Sequence, residues 1–168
     1  MHSQNTMNDG IFLLLGSNQG DKAQNLVLAR ENIEAQAGNI VLCSSLYKSP
    51  AWGMEQQPEF LNQVLEIASV RKADDLLMTI LAIEEKMGRV RVQKWGPRLI
   101  DIDLLFYGNE VRNSPRLQLP HPRIAERRFT LVPLAEIAPQ LVHPILKKSM
   151  SQLLEECTDP SVVEFADV

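Results

Sequence analysis

Between Leu99 and Phe106 the chain reads LIDIDLLF, an apolar stretch interrupted by two aspartates with one isoleucine between them. Such a run reads as a β-strand, and in a strand successive side chains point to opposite faces. Asp101 and Asp103 therefore share a face, their Cα atoms ~6.6 Å apart, two rises of ~3.3 Å. Ile100, Ile102, Leu104 and Phe106 are expected on the other face. A fold for this chain must bury the apolar face and give the carboxylates water, cations or a shared proton, because unpaired buried carboxylates are costly. A half-exposed strand at a sheet surface would meet that demand, and so would a bound divalent metal.

The segment just upstream favours the metal. GRVRVQKWGPR, from Gly88 to Arg98, carries Arg89, Arg91, Lys94 and Arg98 and no acid, in a chain of formal net charge −4. A local cationic loop in an acidic chain suits a specific anion, although a solvated charged loop is the plainer alternative. Carboxylates beside arginines suit phosphoryl chemistry, where Mg²⁺ bridges phosphate oxygens and guanidinium groups neutralise developing charge.

At 168 residues and 45% hydrophobic, the chain is expected to form a single domain over residues 11–168, preceded by a flexible tail over residues 1–10. The opening MHSQNTMNDG lacks the apolar core of a signal peptide, and no stretch approaches the ~20 apolar residues of a membrane span. Cys43 and Cys157 stand far apart, which suits reduced thiols in a cytoplasmic protein. With no extended basic stretch, neither nucleic acid nor membrane is an expected partner, and a monomer acting on small molecules is.

Glycine and proline punctuate the remainder. Ile11–Leu15 reads as a strand. Asp21 then caps a helix through Ile33 that ends at Gly38. Ile40–Tyr47 and Phe60–Val70 read as strands around a turn-rich loop. Asp74 is the expected cap of a second helix whose apolar stripe contains Leu77, Ile80 and Leu81 and which stops at Gly88. With the aspartate strand, the order is βαββαβ, an α+β ferredoxin-like arrangement: an antiparallel sheet with helices on one face and a C-terminal extension. Short helices are expected at Arg128–Ile137 and Ser149–Cys157.

Other residues stand out. Glu84 falls on the apolar stripe of the second helix, either reaching solvent at its boundary or aimed at the basic loop. LGSNQGDK matches neither G-x-x-x-x-G-K-[ST] nor G-x-G-x-x-G, so Gly16 serves a close approach or a simple turn. The loop YKSPAWGMEQQPEFLNQ brings Trp52 and Phe60 together in a chain with only 5% aromatic residues, which suggests a stacking site for a flat ring with Asn62 reading its donors and acceptors. Phe60 at the start of a strand is equally a core residue. His121, between two prolines in LPHPR, is either a phosphate donor or a surface histidine.

Taken together, LGSN, SPAWG, PEFLN, E-x-x-x-G-R-x-R, KWGPRLIDIDLL, LPHPR and RFTLVPLAEIAP resemble the 6-hydroxymethyl-7,8-dihydropterin pyrophosphokinases of folate biosynthesis, over about Ile11 to His143. The resemblance implies transfer of the β,γ-pyrophosphoryl group of ATP to the pterin hydroxymethyl oxygen, with two Mg²⁺ ions on Asp101 and Asp103. It implies phosphate contacts for Arg89 and Arg98, ATP contact for His121 and, more weakly, Arg127, and nucleotide contact or site support for Glu84, Arg91, Trp95 and Arg116. For the pterin it implies Gly16, Ser49, Trp52, Phe60, Asn62, Trp95 and Phe129, with Phe60 and Phe129 stacking on the ring. Leu81 and Trp52 depart from the residue types common at those positions, and the Arg89 to Trp95 loop is one residue short. From the residues alone, nucleotidyl transfer by a palm-type domain and a non-catalytic binding module stay open.

Overall fold

The computed structural model describes residues 7–51, 57–88 and 99–167. Strand β1 (Asn8–Ser17) lies inside an antiparallel sheet, between β5 (Asp101–Tyr107) and β4 (Phe60–Ser69). Beyond β4 come β2 (Asn39–Cys43) and β3 (Tyr47–Ser49), both paired to β4, and β8 (Glu164–Phe165) is added on β3. A small hairpin, β6 (Arg112–Asn113) and β7 (Gln118–Leu119), stands apart.

The helices occupy both faces of this sheet. Helices α1 (Lys22–Gln36) and α2 (Ala73–Lys86) pack Leu26, Ile33, Leu76 and Ile80 onto Ile11, Leu13 and Leu15. Helices α3 (Arg128–Ile137) and α4 (Met150–Glu156) pack Leu131, Leu134, Met150 and Leu153 onto Phe12, Leu14 and Val64. The expectation of helices on one face therefore holds for α1 and α2 only, and the C-terminal extension closes the other. This two-sided burial explains why β1 reads IFLLL without alternation.

Several boundaries differ from expectation for local reasons. Strand β1 begins at Asn8, within the presumed tail, because Gly10 at φ +70° carries a register shift and its carbonyl accepts from Gly108 N–H at 3.0 Å. The expected Ile40–Tyr47 strand divides where Ser44 turns inward, its Oγ accepting from Val64 N–H at 2.9 Å. Asp74 is not the cap of α2. Lys72 takes that position, and Asp74 binds Arg112 at 2.7 Å. Phe106 does not follow Ile102 and Leu104: a register shift between Phe12 and Leu13 admits an extra residue opposite, and Phe106 joins the α3 and α4 side.

Candidate active site

One row of paired residues crosses the sheet on its α3 face: Tyr47 opposite Asn62, Asn62 opposite Gly16, Gly16 opposite Asp101. Asp103 lies in the next row opposite Leu14. The aspartates thus share a face, as their spacing requires. Toward Leu14 and Val64 that face is covered by α3 and α4. At the Asp101 end it opens into a cavity of about 520 Å³.

Every described residue singled out from the sequence lines this cavity: Gly16, Ser49, Phe60, Asn62, Glu84, Asp101, Asp103, Arg116, His121, Arg127 and Phe129. Trp52, Arg89, Arg91, Trp95 and Arg98 lie outside the described residues.

At one end the walls form an aromatic slot. Asn62 and Ser49 are buried, and Asn62 Nδ2 donates to Ser49 Oγ at 2.7 Å. Gly16 supplies clearance: a Cβ there would lie 3.3 Å from Asn62 Oδ1 and 3.4 Å from Phe60 Cδ1. Phe129, in the first turn of α3, lines the same cavity, and the Arg127 guanidinium sits 5.6 Å from its ring centroid.

The other end is charged. Burial pulls the Arg127 pKa below its usual range, a nearby Asp103 carboxylate opposes that, and Arg123 adds to the lowering. Burial, then the charges of Arg127 and Arg123, hold His121 down at about 4. Its Nδ1 accepts the Arg123 N–H at 3.3 Å, and its own backbone N–H donates to Leu105 O at 2.9 Å on β5. The ring is therefore neutral near pH 7, with its proton on Nε2, a donor fit for a phosphate oxygen.

Glu84 is 3% exposed, so it does not reach solvent. Its Oε2 accepts from Ile102 N–H at 2.8 Å, between the two aspartates. Because β5 is an edge strand, this N–H has no strand partner, and the carboxylate satisfies it.

Among the described residues no group of three or more His, Cys, Asp or Glu side chains is arranged to hold a metal. Mg²⁺ commonly takes one or two protein carboxylates and fills its shell from phosphate and water, so the pair Asp101 and Asp103 fits that ion.

Sequence reasoning missed the β6–β7 hairpin, whose turn brings Pro115, Leu117 and Gln118 to the cavity. The dipeptide Ser114-Pro115 was its available signal: Ser114 N–H donates to Leu117 O at 3.1 Å, and Leu117 N–H donates back to Ser114 Oγ at 3.2 Å. Arg123, the second charge acting on His121, stood unremarked inside LPHPR.

Same-face carboxylates, a half-buried arginine and a neutral imidazole donor beside an aromatic slot define a pocket suited to a polyphosphate and a flat ring. The family model for 7,8-dihydro-6-hydroxymethylpterin-pyrophosphokinase (HPPK) matches residues 12–139. Proteins named 2-amino-4-hydroxy-6-hydroxymethyldihydropteridine pyrophosphokinase are similar to this chain: that of Methylorubrum extorquens is 44% identical, covering 91% of this chain and 96% of the relative. That of Synechocystis is 43% identical, covering 89% and 77%. The wild-type crystal structure of Plasmodium falciparum HPPK-DHPS superposes with a TM-score of 0.71 at 16% identity, a likeness of fold. It covers 92% of this chain, which spans only 42% of that longer one. The chain belongs to the HPPK family, and it is an enzyme, a diphosphotransferase that uses ATP.

Proposed function

We propose that the chain transfers the β,γ-pyrophosphoryl group of ATP to the hydroxymethyl oxygen of 6-hydroxymethyl-7,8-dihydropterin, as a step of folate biosynthesis, with Asp101 and Asp103 holding two Mg²⁺ ions. The observation that carries this reading is the single cavity in which both aspartates stand beside the Phe60, Asn62 and Phe129 slot. The bond formed joins the pterin oxygen to the β-phosphorus. The bond broken is that between the β-phosphorus and the oxygen bridging to the α-phosphorus, so AMP leaves and the hydroxyl proton is released. Bound Mg²⁺ would supply charge neutralisation across the triphosphate.

The chain's own residues do the rest. Phe60 and Phe129 sandwich the pterin while Asn62 and Ser49 read its edge. Nε2–H of His121 and the Arg127 guanidinium bind phosphate oxygens. Arg116 contacts the nucleotide from the rim, and Glu84 holds the strand between the aspartates. Arg89 and Arg98 neutralise charge during transfer, with Arg91 and Trp95 supporting the nucleotide and Trp52 and Trp95 covering the pterin. The sheet order, with α1 and α2 on one face, supports a ferredoxin-like core within one domain.

Incubation with ATP, Mg²⁺ and the reduced pterin tests the reaction. AMP and a pterin diphosphate are expected in equal amounts. Release of pyrophosphate in place of AMP would establish nucleotidyl transfer instead.

A further inference from the structure

Glu136, near the C-terminal end of α3, lines no part of the cavity, yet it ties two of its walls together. Its Oε1 accepts from Ser45 N–H at 2.9 Å and from the Tyr47 hydroxyl at 2.8 Å, and its Oε2 accepts from Ser45 Oγ at 2.7 Å. Burial works against the charge, but the hydrogen bonds from Ser45 and Tyr47 outweigh it and hold the carboxyl below its ordinary range. Tyr47 is buried, stacks on Phe165 with centroids 5.0 Å apart, and stands directly opposite Asn62. Two residues on, β3 presents Ser49 to the cavity.

The opposite end of α3 needs such a tie. Phe129 sits in its first turn, and Pro133, four residues later, has no N–H to return to the Phe129 carbonyl. That turn is held from outside, by Arg128 Nε donating to Asp159 O at 2.9 Å and Arg128 Nη2 to Cys157 O at 3.0 Å. The helix is thus fixed at its start by the C-terminal segment and near its end by Glu136.

We propose that Glu136 is a positioning residue for the ring slot: by clamping α3 to the strand that carries Ser49, it sets the gap between Phe129 and the wall of Phe60, Asn62 and Ser49. It acts through Tyr47 and Ser45 and does not touch the ring. The inference rests on the reading of this slot as the pterin subsite.

Fluorescence titration of the reduced pterin into wild-type protein and into Glu136→Ala, Glu136→Gln and Tyr47→Phe tests it, with titration of a non-hydrolysable ATP analogue and Mg²⁺ alongside. Glu136→Ala is expected to raise the pterin Kd by about 10-fold, on the scale of a lost hydrogen bond to a charged group, and Tyr47→Phe by about 3-fold. The nucleotide Kd should move clearly less than the pterin Kd, since the slot meets the charged end through Arg127, 5.6 Å from the Phe129 ring centroid, while the remaining nucleotide contacts lie on other elements. Glu136→Gln should recover most of the pterin affinity, because its amide oxygen still accepts from Ser45 N–H and Tyr47, and its NH₂ can donate to Ser45 Oγ. Glu136 is exposed, so its replacement leaves the core intact, and Tyr47→Phe decides the matter if Glu136→Ala does not fold. Lowered Tm with an unmoved pterin Kd, or equal weakening of both ligands, overturns the proposal. Failure of the wild-type chain to bind pterin overturns the functional reading itself, and this inference with it.

Discussion

Gly16→Ala separates the ring slot from the rest of the fold. The new methyl would stand 3.3 Å from Asn62 Oδ1, tighter than ordinary van der Waals contact, so Asn62 must yield by a few tenths of an ångström, and 3.4 Å from Phe60 Cδ1, at the near edge of ordinary contact. The Asn62 amide is already committed to Ser49 at 2.7 Å, and a shift of that size loosens its aim without breaking the bond. For stability, alanine restricts the unfolded chain by ~0.5–1 kcal/mol and overpacking costs ~1–3 kcal/mol, leaving a net loss of about 1 kcal/mol. For binding, misaligning one or two neutral hydrogen bonds worth ~0.5–1.5 kcal/mol each raises the pterin Kd by about 10-fold. Urea unfolding reads the first term and pterin fluorescence titration the second, with Mg²⁺ and an ATP analogue as the control ligand. A pterin affinity equal to wild type, or an equal loss for the nucleotide, would refute the placement of the ring against Gly16.

Gly38→Ala should lower stability by at least ~2 kcal/mol in urea unfolding, since its Cβ would collide with the backbone oxygen of Ala68 on β4, which pairing with Asn39 holds in place. A change within ~0.5 kcal/mol would contradict that clearance argument. His121 titrates near 6.5 when unfolded and at about 4 when folded. Between those values the unfolded chain binds more protons, so stability is full above pH 6.5 and declines as pH falls toward 4. His143, also lowered by burial, adds to the same loss, so His121→Gln should reduce the slope between pH 5 and 6.5 without abolishing it, and an unchanged slope would sink the assignment.

The alternation of LIDIDLLF was enough to put Asp101 and Asp103 on one face, because a period of two survives wherever a ladder stays regular. It failed for Phe106, where one extra residue reverses the faces and nothing in the composition of LLFY marks it. Burial of β1 on both sides was written in IFLLL, but the helices that cover its second face come late in the chain, and pairing them with β1 is a long-range choice that local pattern does not encode. The same reason hid the Glu136 clamp, whose partners lie 91 and 89 residues away. Glu84 was visible as a carboxylate on an apolar stripe, while its partner, a backbone N–H of an edge strand, depends on sheet order. The motifs LGSN, PEFLN and LPHPR bring Gly16, Phe60, Asn62 and His121 to one cavity, the first two because the ends of β1 and β4 pair with Gly16 opposite Asn62.

The proposed reaction depends on Asp101 and Asp103, and steady-state rates of Asp101→Ala and Asp103→Ala with saturating ATP, Mg²⁺ and reduced pterin probe that dependence. Each variant should lose at least ~10²-fold in kcat, the scale of removing one electrostatic stabiliser of the transition state. Rates near wild type in both variants would contradict the assignment of the aspartate pair to the metal-bound triphosphate.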